Sequence, residues 1–437
     1  MKIIQSFWSN PAIESPLHNA AGWLSAEYHW MAWALSVAQL RQFYEEVELI
    51  TDQTGKAILI DTLQLPYTHV KVVLDELNGY PSKLWALAKI HAYSYQSTPF
   101  LHVDGDVFIW EQFSKALLNN RLIVQNFEFG FVFYTSALAQ LRSVGGFVPD
   151  YLDVINPHFL TCNAGIIGGF DTDFFKEYAQ KVKTFARQNE PYLDLLDARN
   201  LNMLMEQGIF SALASQKHIP VCCQMQHLAI ADSSYPGLAN FGAVPHQTKF
   251  IHALGDFKRQ PETCRHLARR LRQDYPEYYY RIVEACQAAG VEMDCRYYQH
   301  KPTEAYQAHY ERDVRQYRAV QDLFGLPIES ILHQNLYFSP HAQLLETTTE
   351  AGNLQQTLLL PDIFALAEKS MVLDPLNMVL LDAFLEQSTC IEAAIAAAAS
   401  YFDQAEITAD FAKFQQLALA RLQELLYAGA LEVEIYF

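Results

Sequence analysis

Short apolar segments alternate with longer segments of helical periodicity over the first 260 residues of the chain. The apolar segments 47–50 and 99–103 follow segments 23–44 and 82–95, whose apolar residues recur near helical spacing. This alternation predicts an α/β fold, with a central sheet covered by helices. With 437 residues, of which 51% are hydrophobic, the chain has enough apolar material for a large core, which excludes wholesale disorder.

The rest of the chain changes character twice. Residues 261–330 have a helical, polar and aromatic pattern, which predicts a helical connector. Residues 331–437 combine short strand-like segments with three helix-like ones and end in an alternating segment, 431–435, that predicts a last strand after Gly429. We therefore expect a sheet domain over 1–260, the connector, and a small α+β C-terminal domain.

The charge balance and the cysteines limit the partners and the location. The chain has 49 Asp and Glu against 31 Lys and Arg, a formal net charge of −18, and no basic run, so we expect no nucleic-acid partner. No stretch reaches the length of a membrane span, and the first residues do not have the pattern of a signal peptide. Seven cysteines without a Cys-x-x-Cys pair predict reduced thiols and a cytoplasmic location.

Two carboxylates follow the apolar segment 99–103 in the run Asp104, Gly105 and Asp106. Ligands of open α/β sheets bind at the carboxyl ends of the strands, and a glycine lets the backbone approach a ligand closely. Carboxylate oxygens suit Mg²⁺ or Mn²⁺, which in turn binds a diphosphate. The alternative is an ordinary solvated Asp-Gly-Asp turn.

Two further segments carry residues of the same kind of chemistry. Asn163 and Gly165 lie in a small-residue turn that enters an apolar strand, although a tight corner of the sheet would have the same pattern. His252 ends another apolar strand as a candidate third metal ligand, and Gly255 and Lys258 follow it with space and charge for a phosphate. The alternatives are a core histidine with ordinary partners and a surface lysine.

Taken in this order, Asp-x-Asp, Asn-Ala-Gly and His-x-x-Gly-x-x-Lys over residues 1–260 resemble the GT-A glycosyltransferases. The likeness is to family 8 and related retaining enzymes, of the glycogenin and bacterial galactosyltransferase type. It implies a GT-A (Rossmann-like) mixed sheet flanked by helices, and transfer of a hexose from a nucleotide-sugar donor, a UDP-sugar. It also implies that Asp104, Asp106 and His252 bind Mn²⁺ or Mg²⁺, which holds the diphosphate.

The resemblance assigns the other residues to parts of the donor. Gly105, Gly255 and Lys258 are expected at the metal and the phosphates, together with a basic residue upstream, which is Lys83 or Lys89. Asn163 is expected beside the sugar, and Gly165 is a candidate for binding the donor. The uracil and ribose are expected to stack at the end of the first strand, where Phe7 and Trp8 stand.

One pair of residues is a candidate for the reactive face of the sugar. The family has an Asp-Gln pair before a helix, and the nearest match here is Glu206 and Gln207, which we expect, with Asn163, to carry the catalysis. An exposed helix face is the alternative for this pair. The family usually continues its third motif with Pro-Trp, where this chain has Arg259 and Gln260.

Residues 331–437 weakly resemble the PqqD-like winged-helix domains, which bind leader peptides of modified peptides. This resemblance implies that the acceptor is a peptide bound by the C-terminal domain, and a plain helical cap is the alternative. DNA binding is disfavoured, because residues 370–437 have ten acidic and two basic side chains. The sequence thus predicts a metal-dependent glycosyltransferase with an unidentified acceptor, or alternatively a non-catalytic peptide- or partner-binding adaptor with a transferase-like core.

Overall fold

The computed structural model describes residues 1–9, 15–231, 235, 237–245, 247–294, 304–348, 354–362, 367–404, 407 and 410–434. The chain divides into two compact units. Unit 1 consists of Met1–Phe241 and Phe250–Asp294, and unit 2 of Gly242–Lys249 and Cys295–Phe437. Unit 1 thus extends past residue 260, the predicted end of the sheet domain, and the predicted connector 261–330 is shared between the two units.

The described part of unit 1 contains ten strands. They are β1 (Lys2–Phe7), β2 (Val47–Thr51), β3 (His69–Val72), β4 (Phe100–Val103), β5 (Val107–Ile109), β6 (Leu122–Phe129), β7 (Thr161–Gly169), β8 (Val221–Cys223), β9 (Ala229–Ile230) and β10 (Phe250–His252). Eight of them form one sheet in the order β3-β2-β1-β4-β7-β6-β8, with β9 paired to β6, and β5 pairs separately with β10.

The sheet is mixed. β1, β2, β3 and β4 run parallel to one another, whereas β7 is antiparallel to both β4 and β6. Every residue of β4 and β7 is buried, as expected for central strands whose two faces are both covered. The carboxyl ends of β1 and β4 therefore lie side by side at one edge of the sheet.

Helices flank this sheet. The described helices of unit 1 are α1 (Ala26–Phe43), α2 (Gln53–Lys56), α3 (Ala86–Ser94), α4 (Lys115–Leu118), α5 (Phe133–Ser143), α6 (Thr172–Gln188), α7 (Ala198–Met203), α8 (Ile209–Gln216), α9 (Pro261–Asp274) and α10 (Pro276–Ala288). π-Helical turns over Ala57–Thr62 and Leu204–Gly208 follow α2 and α7. α9 and α10 contact α1. This packing explains why unit 1 includes them.

The predicted α/β fold, a mixed sheet flanked by helices, is confirmed. The sequence analysis did not name β6. The structure ends β3 at Val72 and begins a 3₁₀ turn, Leu74–Leu77. The two leucines that bound this turn are three residues apart and both buried, a spacing that one helical turn can bury on one side and a strand cannot.

Unit 2 has its own apolar core and a mixture of helices and strands. Its described elements are α11 (Glu304–Phe324), α12 (Ile328–Leu332), β11 (Asn335–Phe338), β12 (Gln343–Thr348), β13 (Leu354–Asp362), β14 (Ala367–Val372), α13 (Pro375–Asp382), β15 (Thr389–Cys390), α14 (Ile391–Ala399), α15 (Phe411–Ala428) and β16 (Leu431–Val433). Two antiparallel sheets form, β15-β11-β16 and β12-β13-β14.

The end of unit 2 follows the predicted pattern as far as it is described. Gly429 ends α15 in the left-handed conformation, with φ of 86°, and β16 comes next. Residue 435, the last of the predicted strand, lies outside the described residues. The winged-helix-like arrangement of this unit stays a prediction. In the described part of the chain, no helix combines the length and the apolar character that crossing a membrane requires.

Candidate functional site

The run Asp104, Gly105 and Asp106 lies where β4 leaves the centre of the sheet and turns into β5. The backbone here is fixed on both sides. The Asp104 N–H donates to the Gly165 carbonyl of β7 at 2.9 Å, and the Gln5 side-chain amide donates to the Asp104 carbonyl at 3.3 Å. Both carboxylates open into a cleft of about 1020 Å³ in unit 1.

The antiparallel pairing of β5 with β10 brings a histidine to the two aspartates. His252 is opposite Val107 in this pairing, so its ring stands beside Asp106, with His252 Nε2 3.5 Å from Asp106 Oδ1. One ligand atom from each of Asp104, Asp106 and His252 lies within 4.8 Å of the other two. The structure thus brings together the three residues that the sequence analysis assigned to a metal.

The donor set suits a divalent cation such as Mn²⁺ or Mg²⁺. It consists of two carboxylates and one imidazole, all buried or half-buried. Asp104 Oδ1 is buried and accepts no hydrogen bond from the residues that the structure describes, and His102 Nδ1 lies 3.5 Å from it. A buried carboxylate oxygen without a hydrogen bond is costly, and a metal ion would satisfy it. The residues present therefore fit such an ion.

A buried glutamine orients the histidine, and the sequence analysis missed it. Gln125 Oε1 lies 2.7 Å from His252 Nδ1, so it accepts the Nδ1–H and leaves the Nε2 lone pair free to bind a metal. A Cβ on Gly165 would lie 2.3 Å from Gln125 Oε1 and 2.4 Å from the His252 ring. Gly165, a candidate for binding the donor in the sequence analysis, is therefore required for this histidine–glutamine pair.

Each aspartate also has a lysine. Lys89 Nζ lies 2.6 Å from Asp104 Oδ2 and 2.8 Å from Glu206 Oε1, and Lys258 Nζ lies 2.5 Å from Asp106 Oδ2. Burial raises the pKa of Asp104 to about 6 against the attraction of Lys89. Burial also acts to raise the pKa of Asp106, but Lys258 and His252 outweigh it and hold that pKa well below its usual range.

The structure distinguishes the two candidate upstream lysines. Lys89 is the one that contacts the metal cluster. Lys83 lines the cleft, but its ammonium is 2.6 Å from a carboxylate oxygen of Asp194, which is fully exposed. Residue 83 lies before the start of α3 and residue 89 lies within it, so the two lysine side chains reach different carboxylates.

The catalytic candidates Glu206 and Gln207 lie in the π-helical turn Leu204–Gly208 that lines the cleft. Their exposed fractions are only 2% and 5%, which argues against the exposed helix face that the sequence left open. Glu206 contacts Lys89, as described above. This turn therefore places Glu206 next to Lys89, the lysine that pairs with Asp104, and Gln207 in the wall of the same cleft.

Glu128 at the end of β6 is a second residue that the sequence analysis missed. It is 3% exposed, and four neutral groups donate to its carboxylate. Asn163 Nδ2 and the Tyr235 hydroxyl donate to Oε1 at 3.0 and 2.6 Å, and the Tyr134 hydroxyl donates to Oε2 at 2.8 Å. The Gln207 nitrogen donates to Oε2 at 3.2 Å in the amide orientation that gives both amide atoms suitable partners. Glu128 thus orients both Asn163 and Gln207. An acidic residue in an otherwise mostly apolar strand was the available signal.

Aromatic rings form another part of the cleft wall. Phe7 is 7% exposed and packs edge-on against Trp33, with ring centroids 5.4 Å apart, while Trp8 is half-buried. A Cβ on Gly105 would lie 2.6 Å from the Trp33 ring. The lack of a side chain at this position therefore makes room for Trp33, whereas the sequence analysis expected it to make room for a ligand. Gly255 has φ of +57° in open space, in the 3₁₀ turn that carries Lys258.

The comparisons with known proteins give one family and 155 chains of solved structures. Residues 1–285 match the model of a family described as "Family of unknown function (DUF6734)". No curated protein matches the chain. A crystal structure of the galactosyltransferase LgtC with donor and acceptor sugar analogs is similar at 14% identity and a TM-score of 0.31, covering 58% of this chain and 87% of that one.

The second structure is an active-site mutant of LgtC. It is 12% identical to this chain with a TM-score of 0.29, and the match covers 51% of this chain and 72% of that one. At such scores neither likeness carries weight for the function. The candidate site rests on its own motifs and geometry.

Proposed function

The chain belongs to the DUF6734 family, whose function is unknown, and we propose that it is a metal-dependent glycosyltransferase of the GT-A type. It transfers a hexose from a nucleotide diphosphate sugar, a UDP-sugar, to an acceptor. The observation that carries the proposal is the convergence of Asp104, Asp106 and His252 within 4.8 Å, beside a cleft of about 1020 Å³. Nucleotide-sized ligands occupy clefts of this size.

The side of the cleft that contains Asp104, Asp106 and His252 would stabilise the leaving diphosphate. A Mn²⁺ or Mg²⁺ ion held by Asp104, Asp106 and His252 supplies Lewis-acid stabilisation of the charge that develops on the diphosphate. Lys258 adds a second positive charge from the 3₁₀ turn that begins at Gly255. Both charges act in a largely buried site, where electrostatic stabilisation is stronger than in water.

The sugar side of the cleft has the opposite requirement. When the sugar–phosphate bond breaks, positive charge develops at the anomeric carbon. Glu206, held by Lys89, and the amide of Gln207 are the groups proposed to face that charge. Asn163 is proposed to bind the sugar hydroxyls, and its orientation is fixed by Glu128 at 3.0 Å.

The nucleoside is proposed to bind at the aromatic end of the cleft. Trp8, which is half-buried and lines the cleft, offers a ring for the base to stack on. Phe7 lies beside it at the end of β1 and packs on Trp33. Phe7 therefore serves as support for the stacking surface.

The direct test is Mn²⁺-dependent hydrolysis of a UDP-sugar by the whole chain. We expect the double variant Asp104→Ala plus Asp106→Ala to abolish it while the melting temperature shows a folded protein. A matched control is Asp150→Ala plus Asp153→Ala, two exposed aspartates outside the cleft, which should keep the activity. Equal activity in the first double variant would remove the proposal.

The acceptor is proposed to be a peptide bound by unit 2. β14 forms one edge of the sheet β12-β13-β14, and Val372 at its end is 58% exposed. Such an edge can pair with an extended peptide. Replacing Ser370 in β14 by proline, which cannot donate to a strand ladder, should weaken binding of an acceptor peptide and leave UDP-sugar hydrolysis intact. Unchanged peptide binding would exclude this edge.

A reducing, cytoplasmic setting is part of the same proposal. The described cysteines are all free thiols, namely Cys162, Cys222, Cys223, Cys264, Cys286 and Cys390. Disulfides form and persist mainly in oxidising compartments, so free thiols support this setting.

A further inference from the structure

Both aspartates of the metal cluster already have a cation in this structure. Lys258 Nζ is 2.5 Å from Asp106 Oδ2, and Lys89 Nζ is 2.6 Å from Asp104 Oδ2. These pairs are well shielded, because the side chains of Asp104 and Asp106 are each only 13% exposed. A dication entering the cluster therefore meets carboxylates whose charge is largely neutralised.

The two lysines differ in what holds them. Lys89 has a second carboxylate, Glu206, at 2.8 Å, so it stays paired when Asp104 turns to a metal. Among the contacts of the described residues, the Lys258 ammonium has Asp106 as its one carboxylate, with the Trp23 ring 5.9 Å away. Lys258 is therefore the cation that a metal at Asp106 sets free.

The backbone of Lys258 is held by two hydrogen bonds, whereas its ammonium is held mainly by Asp106. Its carbonyl accepts the Leu24 N–H at 2.9 Å and the Cys264 thiol at 3.1 Å. Its ammonium is at the end of a flexible four-carbon chain that lines the cleft. The ammonium can thus leave Asp106 for another anion in the cleft without any change of fold.

We propose that Lys258 is an exchangeable counter-ion that couples metal binding to nucleotide diphosphate binding. Without a metal it neutralises Asp106. A divalent cation takes over Asp106 and repels the ammonium, which then pairs with the diphosphate of the donor. Each ligand thus removes part of the cost of binding the other. This inference rests on the proposed function, because it needs both ligands in the same cleft.

A counter-ion role for Lys258 predicts opposite effects on the two ligands when its charge is removed. Removing the lysine charge takes away the competitor at Asp106, so the affinity for the metal alone rises. The same change removes a phosphate partner, so the affinity for the nucleotide falls. A lysine that only bound phosphate would leave the affinity for the metal alone unchanged, and a purely structural lysine would weaken both. Coupling is reciprocal between the two ligands.

The test is calorimetric titration of the whole chain with Mn²⁺, with and without saturating UDP. Three variants are compared with the wild type: Lys258→Gln, Lys258→Arg and, as a control, Lys217→Met, a surface lysine that pairs with Glu177 at 2.8 Å. Without UDP, we expect the Mn²⁺ affinity to rise about fivefold or more in Lys258→Gln, within the usual range of coupling. It should fall in Lys258→Arg, because a guanidinium grips a carboxylate in bidentate fashion.

UDP should raise the Mn²⁺ affinity of the Lys258→Gln variant by a smaller factor than it raises that of the wild type, because the variant has no competing ammonium for UDP to draw away from Asp106. The Lys217→Met control should match the wild type throughout. The Gln and Arg variants should shift the Mn²⁺ affinity in opposite directions. Either variant alone therefore tests whether Lys258 competes with the metal for Asp106, even if the other variant does not fold.

Two results would overturn the inference in different ways. If Mn²⁺ binds Lys258→Gln no more tightly than the wild type in the absence of UDP, or binds Lys258→Arg more tightly, Lys258 is not a counter-ion, and the proposed function survives. If the wild type binds no Mn²⁺ even with UDP present, the proposed function fails and the inference fails with it.

Discussion

The hydrogen bond between Gln125 and His252 gives a quantitative prediction about metal affinity. Gln125→Leu removes the acceptor 2.7 Å from His252 Nδ1 that fixes the tautomer of this histidine. Gln125 is fully buried and His252 is 5% exposed, so water cannot replace the lost acceptor. An unsatisfied buried donor costs about 1–3 kcal/mol. Loss of such a partner typically lowers metal affinity about 10- to 100-fold, which is a comparable free energy.

Electron paramagnetic resonance of free Mn²⁺ in the presence of UDP measures this affinity directly. We expect Gln125→Leu to bind Mn²⁺ about 10- to 100-fold more weakly than the wild type. Gln96→Leu is the matched control, because Gln96 is almost equally buried but donates to the Ala92 carbonyl of the preceding helix, α3. Wild-type affinity in Gln125→Leu, or an equal loss in the control, would refute the role assigned to Gln125.

Three further predictions follow from the same structure. Gly165→Ala should weaken Mn²⁺ binding, because its Cβ would lie 2.4 Å from the His252 ring, while Gly79→Ala, which meets nothing within 4 Å, should not; equal affinities would contradict this. Lys89→Met leaves two buried carboxylates without their cation and should lower the free energy of unfolding in urea by about 3–5 kcal/mol, whereas a loss below about 1 kcal/mol would mean a surface-like pair. Burial and Lys183 lower the pKa of His91 from 6.5 to about 4. His91 therefore takes up a proton in the unfolded chain first as the pH falls, and its share of the fall in the unfolding free energy should be up to about 1.4 kcal/mol per pH unit between pH 6.5 and 4. His91→Gln should reduce the measured slope by this share, and an unchanged slope would refute the assignment.

The sheet could be predicted where strands are apolar on both faces. β4 and β7 are fully buried, and the short apolar runs within them predict strands. β6 was harder to identify, because Gln125, Asn126 and Glu128 interrupt its apolar pattern. Hydrogen bonds with other parts of unit 1 satisfy these buried polar side chains. The sequence of a single strand does not reveal such partners.

The convergence of Asp104, Asp106 and His252 could be predicted, because all three residues lie in short sequence motifs at strand ends. Asp104 and Asp106 follow one strand and His252 ends another, and the β5–β10 pairing brings these ends together. The upstream lysine stayed open, since both Lys83 and Lys89 lie near the start of α3. Which one contacts Asp104 depends on where the helix begins, and helix ends are the least certain part of a sequence pattern.

Gln125 and Glu128 were missed for a different reason. Both act through another side chain, His252 in one case and Asn163 and Gln207 in the other. A residue that orients a ligand has no motif of its own, because its partner is chosen by the sheet register and not by spacing along the chain. The three-dimensional structure was needed to find them.

The location of the metal is the most direct test of the whole account. A crystal of the chain grown with MnCl₂ and UDP, measured for anomalous scattering from manganese, shows where the ion binds. We predict one strong peak in contact with Asp104, Asp106 and His252, with the Lys258 ammonium turned from Asp106 toward the diphosphate. A peak elsewhere, or none in the presence of ordered UDP, would contradict the account.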